Sequence, residues 1–392
     1  MKRTLLAAVA AALAAVAVVA ATASGQTGPK AGGHAFEHVF VIMLENHSQS
    51  SVIDDANAPF ITSLAHKYGL AANYYGVTHP SEPNYVAAIS GSNWGRNVDD
   101  PTLVYDHLNI VDLLESHHLT WAAYMESMPS AGFTGSQYPA NAALYANKHN
   151  PFVLFQDIVS NPARLAKIKP YTSFATDMKA AQIPNFVWIS PNQCHDMHGG
   201  VYAQIAPDGS DGTPCPYGSA KDDANDAALK QKADAFVKGA VGTITSTTAW
   251  KTGRSAIFIV TDENDFTGNA STDGWESADG CCDSPYLGPG TPFLGSNEQP
   301  DGKVWAGGIY GGGKIPAIVM TAKGPSGYVS QTPYNHYSML STILWNWNLP
   351  PLANTADTLN VKPMTEFFVS KSPSSVKKGH GKGHVKGKGK KK

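Results

Sequence analysis

Three apolar runs dominate the hydropathy pattern: His38-Val39-Phe40-Val41-Ile42-Met43-Leu44, Ser255-Ala256-Ile257-Phe258-Ile259-Val260-Thr261 and Ile315-Pro316-Ala317-Ile318-Val319-Met320-Thr321. Each is continuous rather than alternating, and β-branched residues are frequent, as in strands covered on both faces. Asn185 to Ser190 and Thr120 to Tyr124 predict two further strands. Between them, apolar residues recur at helical spacing over Pro59 to Tyr68, Ile110 to His117, Asp222 to Val241 and Tyr337 to Trp347. Strands that alternate with helices predict an α/β fold, a three-layer sandwich with a largely parallel central sheet and helices on both faces.

The strands stop at polar residues. Glu45-Asn46-His47-Ser48 follows the first, Asp262-Glu263-Asn264-Asp265 a later one, and Gln193-Cys194-His195-Asp196-Met197-His198 lies a few residues past a middle one. In open α/β sheets the carboxyl ends of strands are where ligands bind. Val77-Thr78-His79-Pro80-Ser81-Glu82-Pro83-Asn84-Tyr85 is the most distinctive stretch. Two prolines bracket Ser81 and restrict the residues before them, so the predicted helix begins after Pro83, with Ser81 on a rigid turn ahead of it. A hydroxyl there either caps the helix or acts as a nucleophile or metal ligand beside outward-pointing N–H groups.

The chain has 392 residues, 42% hydrophobic and 15% charged, enough for a substantial core. Lys2-Arg3, the apolar stretch Leu5 to Ala20 and Ala21-Thr22-Ala23 read as a signal peptide over 1–23. A linker (24–33), one catalytic domain (34–371) and a disordered Lys/Gly/His-rich tail (372–392) follow. This organisation implies export to the periplasm or outside the cell. No later stretch is long and apolar enough to span a membrane. Cys194, Cys215, Cys281 and Cys282 suit an oxidising compartment. Pairs 194–215 and 281–282 are the first expectation, and a crossed pattern is the alternative. Of 29 Lys and Arg, eight lie between Lys377 and Lys392, leaving 21 against 31 acidic residues. An acidic body argues against nucleic acid as a partner, and the basic tail offers a contact to anionic cell surfaces. Carboxylates gathered from several strand ends repel one another unless a cation lies between them.

Glu45-Asn46-His47-Ser48, Thr78 to Tyr85, Lys148-His149-Asn150-Pro151-Phe152, Asp196-Met197-His198, Thr261-Asp262-Glu263 and His336-Tyr337-Ser338-Met339-Leu340 together resemble the motifs of one phosphoesterase family. It comprises secreted bacterial acid phosphatases and non-specific phospholipases C, within the alkaline-phosphatase superfamily, and the similarity runs from His38 to Trp347. The resemblance implies an alkaline-phosphatase-like fold and a metal-dependent acid phosphatase that works through a phosphoserine. Its substrates would be small phosphate esters or phospholipid head groups, phosphoinositides among them. A phospholipase C-type phosphodiesterase is the alternative.

By the same resemblance Ser81 matches the nucleophile. Glu45, Asn46, Asp262 and Glu263 match the ligands of a metal that also touches Ser81. Asp196, His198 and His336 match a second cluster that binds metal or phosphate or serves as general acid. Lys148 and His149 match phosphate-binding residues, and Asn84 is placed to contact a phosphate oxygen; His79, read from its own position, either donates to phosphate or packs beside Pro80. Calcium, magnesium, zinc, manganese and iron all fit such ligands. The phospholipases carry a D-E-H-G-G stretch where this chain has Asp262-Glu263-Asn264-Asp265-Phe266, which favours the phosphatase branch. Sulfatase or phosphonatase chemistry, and a non-catalytic phosphate-binding protein, are the remaining alternatives. His195 and Asp265 are expected to be bystanders.

Overall fold

A computed structural model describes residues 35–180, 182–201, 214–218, 224–265, 278–294 and 300–368. All of them belong to the compact unit Gly32–Lys392. The expected signal peptide, linker and basic tail lie outside the described residues.

The predicted apolar runs form the centre of an eight-stranded sheet. In chain order its strands are His38–Leu44 (β1), Gly69–Ala71 (β2), Trp121–Met125 (β3), Ile168–Pro170 (β4), Phe186–Ser190 (β5), Ser255–Thr261 (β6), Ala317–Thr321 (β7) and Tyr328–Ser330 (β8). The spatial order is β8-β2-β7-β6-β1-β5-β3-β4. β1 pairs in parallel with β6 and β5, β5 with β3, and β3 with β4. β7 alone runs against its neighbours, β6 and β2. The largely parallel sheet is therefore as expected.

Side chains alternate across a strand, so β1 feeds two cores. Val39, Val41 and Met43 pack with Tyr85, Val86, Ile110, Leu114 and Ile343 on one face. These come from helices Ser81–Ser90 (α2), Ile110–Ser116 (α3) and His336–Asn346 (α5). Phe40, Ile42 and Leu44 pack on the other face with Ile61, Leu64, Ala233 and Val237. Those belong to Pro59–Lys67 (α1) and Ala224–Ser246 (α4). The three layers follow directly from the unbroken apolar character of β1.

Among the boundaries that differ from expectation, one bears on the site. The helix after the Pro-rich turn begins at Ser81 itself, with Pro80 as its N-cap. Pro83 is its third residue. The first four N–H groups of a helix have no partner inside it, so a proline there removes nothing the helix needs. Ser81 thus sits in the first turn rather than ahead of it.

Both disulfides have the pairing expected first, Cys194–Cys215 and Cys281–Cys282. Among the described residues no helix is long and apolar enough to cross a membrane.

Candidate active site

The carboxyl ends of β1, β5 and β6 and the N-terminus of α2 converge. β1 and β6 run in register from His38↔Ser255 to Leu44↔Thr261, so Glu45 and Asp262 leave the sheet side by side. The Asp262 N–H donates to Leu44 O (2.9 Å), and the Glu45 N–H donates to Asp196 O (2.7 Å). The acidic residues of three strand ends are therefore tied together through the backbone. Gly76 lets the turn before Ser81 lie against them: a Cβ there would meet Asp262 O at 2.8 Å and Gly312 Cα at 2.9 Å.

Ser81 Oγ lies 3.0 Å from Glu45 Oε2 and 3.1 Å from Glu263 Oε1. Its single proton has two carboxylate acceptors, and the hydroxyl is buried. Asn46 sits at φ 41°, its N–H donating to Asp262 Oδ1 (3.1 Å). A left-handed backbone is one that Asn tolerates better than most residues. The loop behind is braced: His47 Nε2 lies 2.7 Å from Asp226 Oδ1, its Nδ1 lies 3.2 Å from Glu45 O, and the Ser48 N–H donates to Asp265 Oδ1 (3.2 Å). Asp265 and His47 therefore position the loop rather than line the reacting centre. His195, expected to be a bystander, pairs with Glu126 (2.9 Å).

A second group meets Glu45 from the other side. His149 Nε2 is 3.2 Å from Glu45 Oε1 and its Nδ1 is 3.2 Å from Asp196 Oδ2. His198 Nδ1 lies 2.9 Å from Gly199 O, and its Nε2 is 3.4 Å from Lys148 Nζ. Ligand atoms of Glu45, His149 and His198 all lie within 4.8 Å of one another. His149 therefore groups with the potential metal ligands, not only with phosphate-binding positions. Asp196 stands behind it, taking the place of the carboxylate that orients a ligating histidine.

Three expectations need correction. His336 was expected in a cluster with Asp196 and His198. Its Nε2 instead lies 2.6 Å from Asp262 O, just past β6, and its Nδ1 3.2 Å from Tyr74 OH, so both ring nitrogens are engaged within the fold. Asn84 was expected to touch phosphate. Its Oδ1 instead accepts from the N–H groups of Val77 (2.8 Å) and Thr78 (3.1 Å), and its Nδ2 donates to Thr78 O (2.7 Å) and Pro80 O (3.0 Å). The amide is spent on shaping the turn before Ser81. His79, likewise expected at phosphate, pairs with Glu263 Oε2 and sets its ring edge against Tyr310. Asn84→Ala would strand two buried N–H groups, each costing about 1–3 kcal/mol. A clear fall in thermal midpoint, with activity lost alongside it, is the expected result; an unchanged midpoint would contradict the assigned role.

Burial dominates the electrostatics. It pushes the Glu45, Asp196 and Asp262 carboxyls well above the usual range. Asp262 and Asp196 reinforce this at Glu45, and Glu263 reinforces it at Asp262. Burial and the Lys148 charge hold His149 well below the ordinary imidazole value and take His198 down to about 3. Burial takes His336 to about 4. These rings stay neutral near physiological pH, which suits ligands and acceptors better than the general acid expected of His198 and His336. Burial also lowers Lys148, but Asp99, Glu45 and Glu263 outweigh it and keep the ammonium charged.

The sequence reading missed Tyr85, whose ring stacks on His149 at 5.4 Å, and Tyr217, whose ring meets the edge of His198 at 5.8 Å. It also missed Asp99, 2.9 Å from Lys148 Nζ. Tyr85 lies inside the Ser81 motif and could have been marked there. Asp99 and Tyr217 lie in irregular segments with no periodicity to point to them.

Fold and site together define an α/β protein built around a buried serine, four acidic residues and two neutral histidines at the carboxyl ends of its central strands. The Phosphoesterase family model matches residues 51–209 and 216–350, and the chain belongs to that family. A phosphate-repressible acid phosphatase of Penicillium chrysogenum is 36% identical over 168 residues, 42% of this chain and 40% of that protein. A phosphatidylinositol-3-phosphatase of Mycobacterium tuberculosis is 34% identical over 170 residues, 43% of this chain and 54% of that protein. The chain thus spans about half or less of the length of these curated relatives. Among solved structures, a protein of the alkaline phosphatase superfamily from Vibrio parahaemolyticus aligns with a TM-score of 0.48 at 9% identity, covering 86% of this chain and 71% of that one.

Proposed function

We propose that the protein is an exported, divalent-metal-dependent phosphomonoesterase that transfers phosphoryl groups through Ser81. The observation that carries this reading is the Ser81 hydroxyl in the first turn of α2, between Glu45 and Glu263. The curated relatives, acid phosphatases and a phosphoinositide phosphatase, support monoesters over diesters. The charged start of the chain, its apolar stretch and its paired cysteines support export.

The donor set fits a divalent cation. Among the described residues Asn46 Oδ1 and Asp262 Oδ2 are buried with no hydrogen-bond partner, and burial opposes the charged forms of the surrounding carboxylates. Such atoms are costly to bury unless a cation or proton satisfies them. Glu45, Asn46, Asp262, Glu263 and Ser81 would supply a hard oxygen set for calcium or magnesium. Glu45, His149 and His198 would supply a mixed set for zinc, manganese or iron. When bound, the cation supplies positive charge that favours the Ser81 alkoxide and the phosphoryl oxygens.

The chain's own groups account for the remainder. Ser81 Oγ attacks phosphorus while its proton passes to Glu45 Oε2 or Glu263 Oε1. The ester oxygen departs and takes up that proton from the carboxyl, directly or through water. The positive end of the α2 dipole, at Ser81, and the Lys148 ammonium stabilise the transferring group. Water then attacks the phosphoserine, releasing phosphate and returning a proton to Ser81. Lys148→Met is expected to reduce kcat/KM by about 10²–10³-fold, the usual cost of one such donor. Steady-state kinetics on p-nitrophenyl phosphate would show it, and a change below threefold would remove Lys148 from this role.

The reading is tested by comparing p-nitrophenyl phosphate, bis-p-nitrophenyl phosphate and a phosphatidylinositol monophosphate as substrates, with and without chelator. Monoester turnover that chelator abolishes is expected. Preference for the diester would move the protein to the phosphodiesterase branch.

A further inference from the structure

The loop before Tyr105 joins the two halves of the site through one carboxylate. Asp99 Oδ1 accepts the Glu82 N–H at 2.8 Å, and Glu82 is the residue after Ser81 in the first turn of α2. Asp99 Oδ2 accepts from Lys148 Nζ at 2.9 Å. The clasp is reciprocal on one side: the Asp100 N–H donates to Glu82 Oε2 at 2.9 Å. It is doubled on the other: Asn147 Nδ2, beside Lys148, donates to Pro101 O at 2.9 Å. The Asp99 and Lys148 side chains are only 8% and 14% exposed, so the pair is shielded from the solvent that makes surface ion pairs weak.

We infer that Asp99 is a positioning residue, which fixes the Lys148 ammonium relative to the Ser81 turn by holding one with each carboxylate oxygen. The inference rests on the phosphoryl-transfer reading above. Lys148 has a long, flexible stem and carries its charge as a point rather than a fork, so it needs an anchor to present that charge in one place. Glu45 and Glu263, the two residues that flank Ser81 Oγ, are among the other carboxylates whose charge acts on it. Without Asp99 the ammonium would be drawn onto those carboxylates. It would then compete with the serine proton instead of facing the phosphoryl oxygens. The backbone leg does not need the charge: an amide oxygen at position 99 can still accept the Glu82 N–H, whereas an amide nitrogen facing Lys148 cannot.

A double-mutant cycle tests this, using the full chain in the presence of its divalent cation. Wild type, Asp99→Asn, Lys148→Met and the double variant are compared for p-nitrophenyl phosphate turnover and for binding of inorganic phosphate by calorimetry. Asp99→Asn is expected to lower kcat/KM by about 10–100-fold and to weaken phosphate binding, with the thermal midpoint close to that of wild type. In the Lys148→Met background the same change is expected to cost less than about threefold, because residues acting as one unit are not additive. Asp99→Glu, which keeps the carboxylate, is expected to retain more activity and phosphate affinity than Asp99→Asn, and provides a second variant should the amide impair folding. An equal cost in both backgrounds, or no effect of Asp99→Asn on binding, would overturn the inference. A wild type that binds phosphate but does not turn over the monoester would overturn the activity reading alone, and the binding cycle would still decide the role of Asp99.

Discussion

Ser81→Ala is expected to lower turnover of phosphate monoesters by about 10⁴-fold or more, the scale seen when a nucleophile is removed. The fold should tolerate it. Ala is a better helix former than Ser, and the contacts of Ser81 Oγ are to carboxylates of the site rather than to the backbone that holds the fold. The expected signature is therefore lost kcat with a thermal midpoint within a few degrees of wild type, read by kinetics and calorimetry on the same preparation. Activity within tenfold of wild type would place the nucleophile elsewhere. A serine hydroxyl is a weak nucleophile near neutral pH. This one is placed where its proton has acceptors and where negative charge is favoured by a helix N-terminus.

Removing the divalent cation is expected to have the second largest effect, on activity and on stability together. The sign of the pH dependence follows from Glu45, Asp196 and Asp262. Burial raises all three in the cation-free fold, with neighbouring carboxylates reinforcing it. A raised carboxylate binds more protons folded than unfolded. The stability it contributes is fully present below the unfolded value of about 4 and is lost as pH rises through the folded value. Chelated protein should therefore be most stable in acid and weaken towards neutrality. A bound cation holds the same carboxylates ionised and reverses the slope: stability is kept at neutral pH and falls in acid as protons displace the metal. At 100 times its dissociation constant the cation adds about 2.7 kcal/mol, which is several degrees in midpoint. Melting curves from about pH 4, the ordinary carboxylate value, up to about pH 8, with and without chelator, measure this. Parallel curves would contradict a cation at these residues.

The sequence showed the frame more clearly than the contacts. β1, β6 and β7 were legible because unbroken apolar runs have few other uses in a soluble fold. β2, β4 and β8 are three-residue segments, too short to carry a periodic signal. The start of α2 was placed late because Pro83 reads as a break, although proline in a first turn costs little.

Within the site, Ser81 Oγ lies between Glu45 and Glu263, and Asp262 leaves the sheet beside Glu45. His336 and Asn84 have the side-chain chemistry of site residues, but the ring of His336 is taken up by the Asp262 carbonyl and the Tyr74 hydroxyl, and the Asn84 amide by the backbone of the Ser81 turn. Whether a buried polar atom faces a ligand or a carbonyl is decided by tertiary contacts that spacing does not encode. Asp99 is the converse, a plain loop acid in sequence and a bridge in three dimensions.

The most direct test of phosphoryl transfer through Ser81 is to quench the enzyme in acid during turnover of a phosphate monoester, digest it and locate any phosphoryl group by mass spectrometry. One phosphoryl group on the peptide containing Ser81, absent in Ser81→Ala, is the result this account predicts. An unmodified Ser81 in the quenched enzyme, with Ser81→Ala turning over the monoester as fast as wild type, would contradict it.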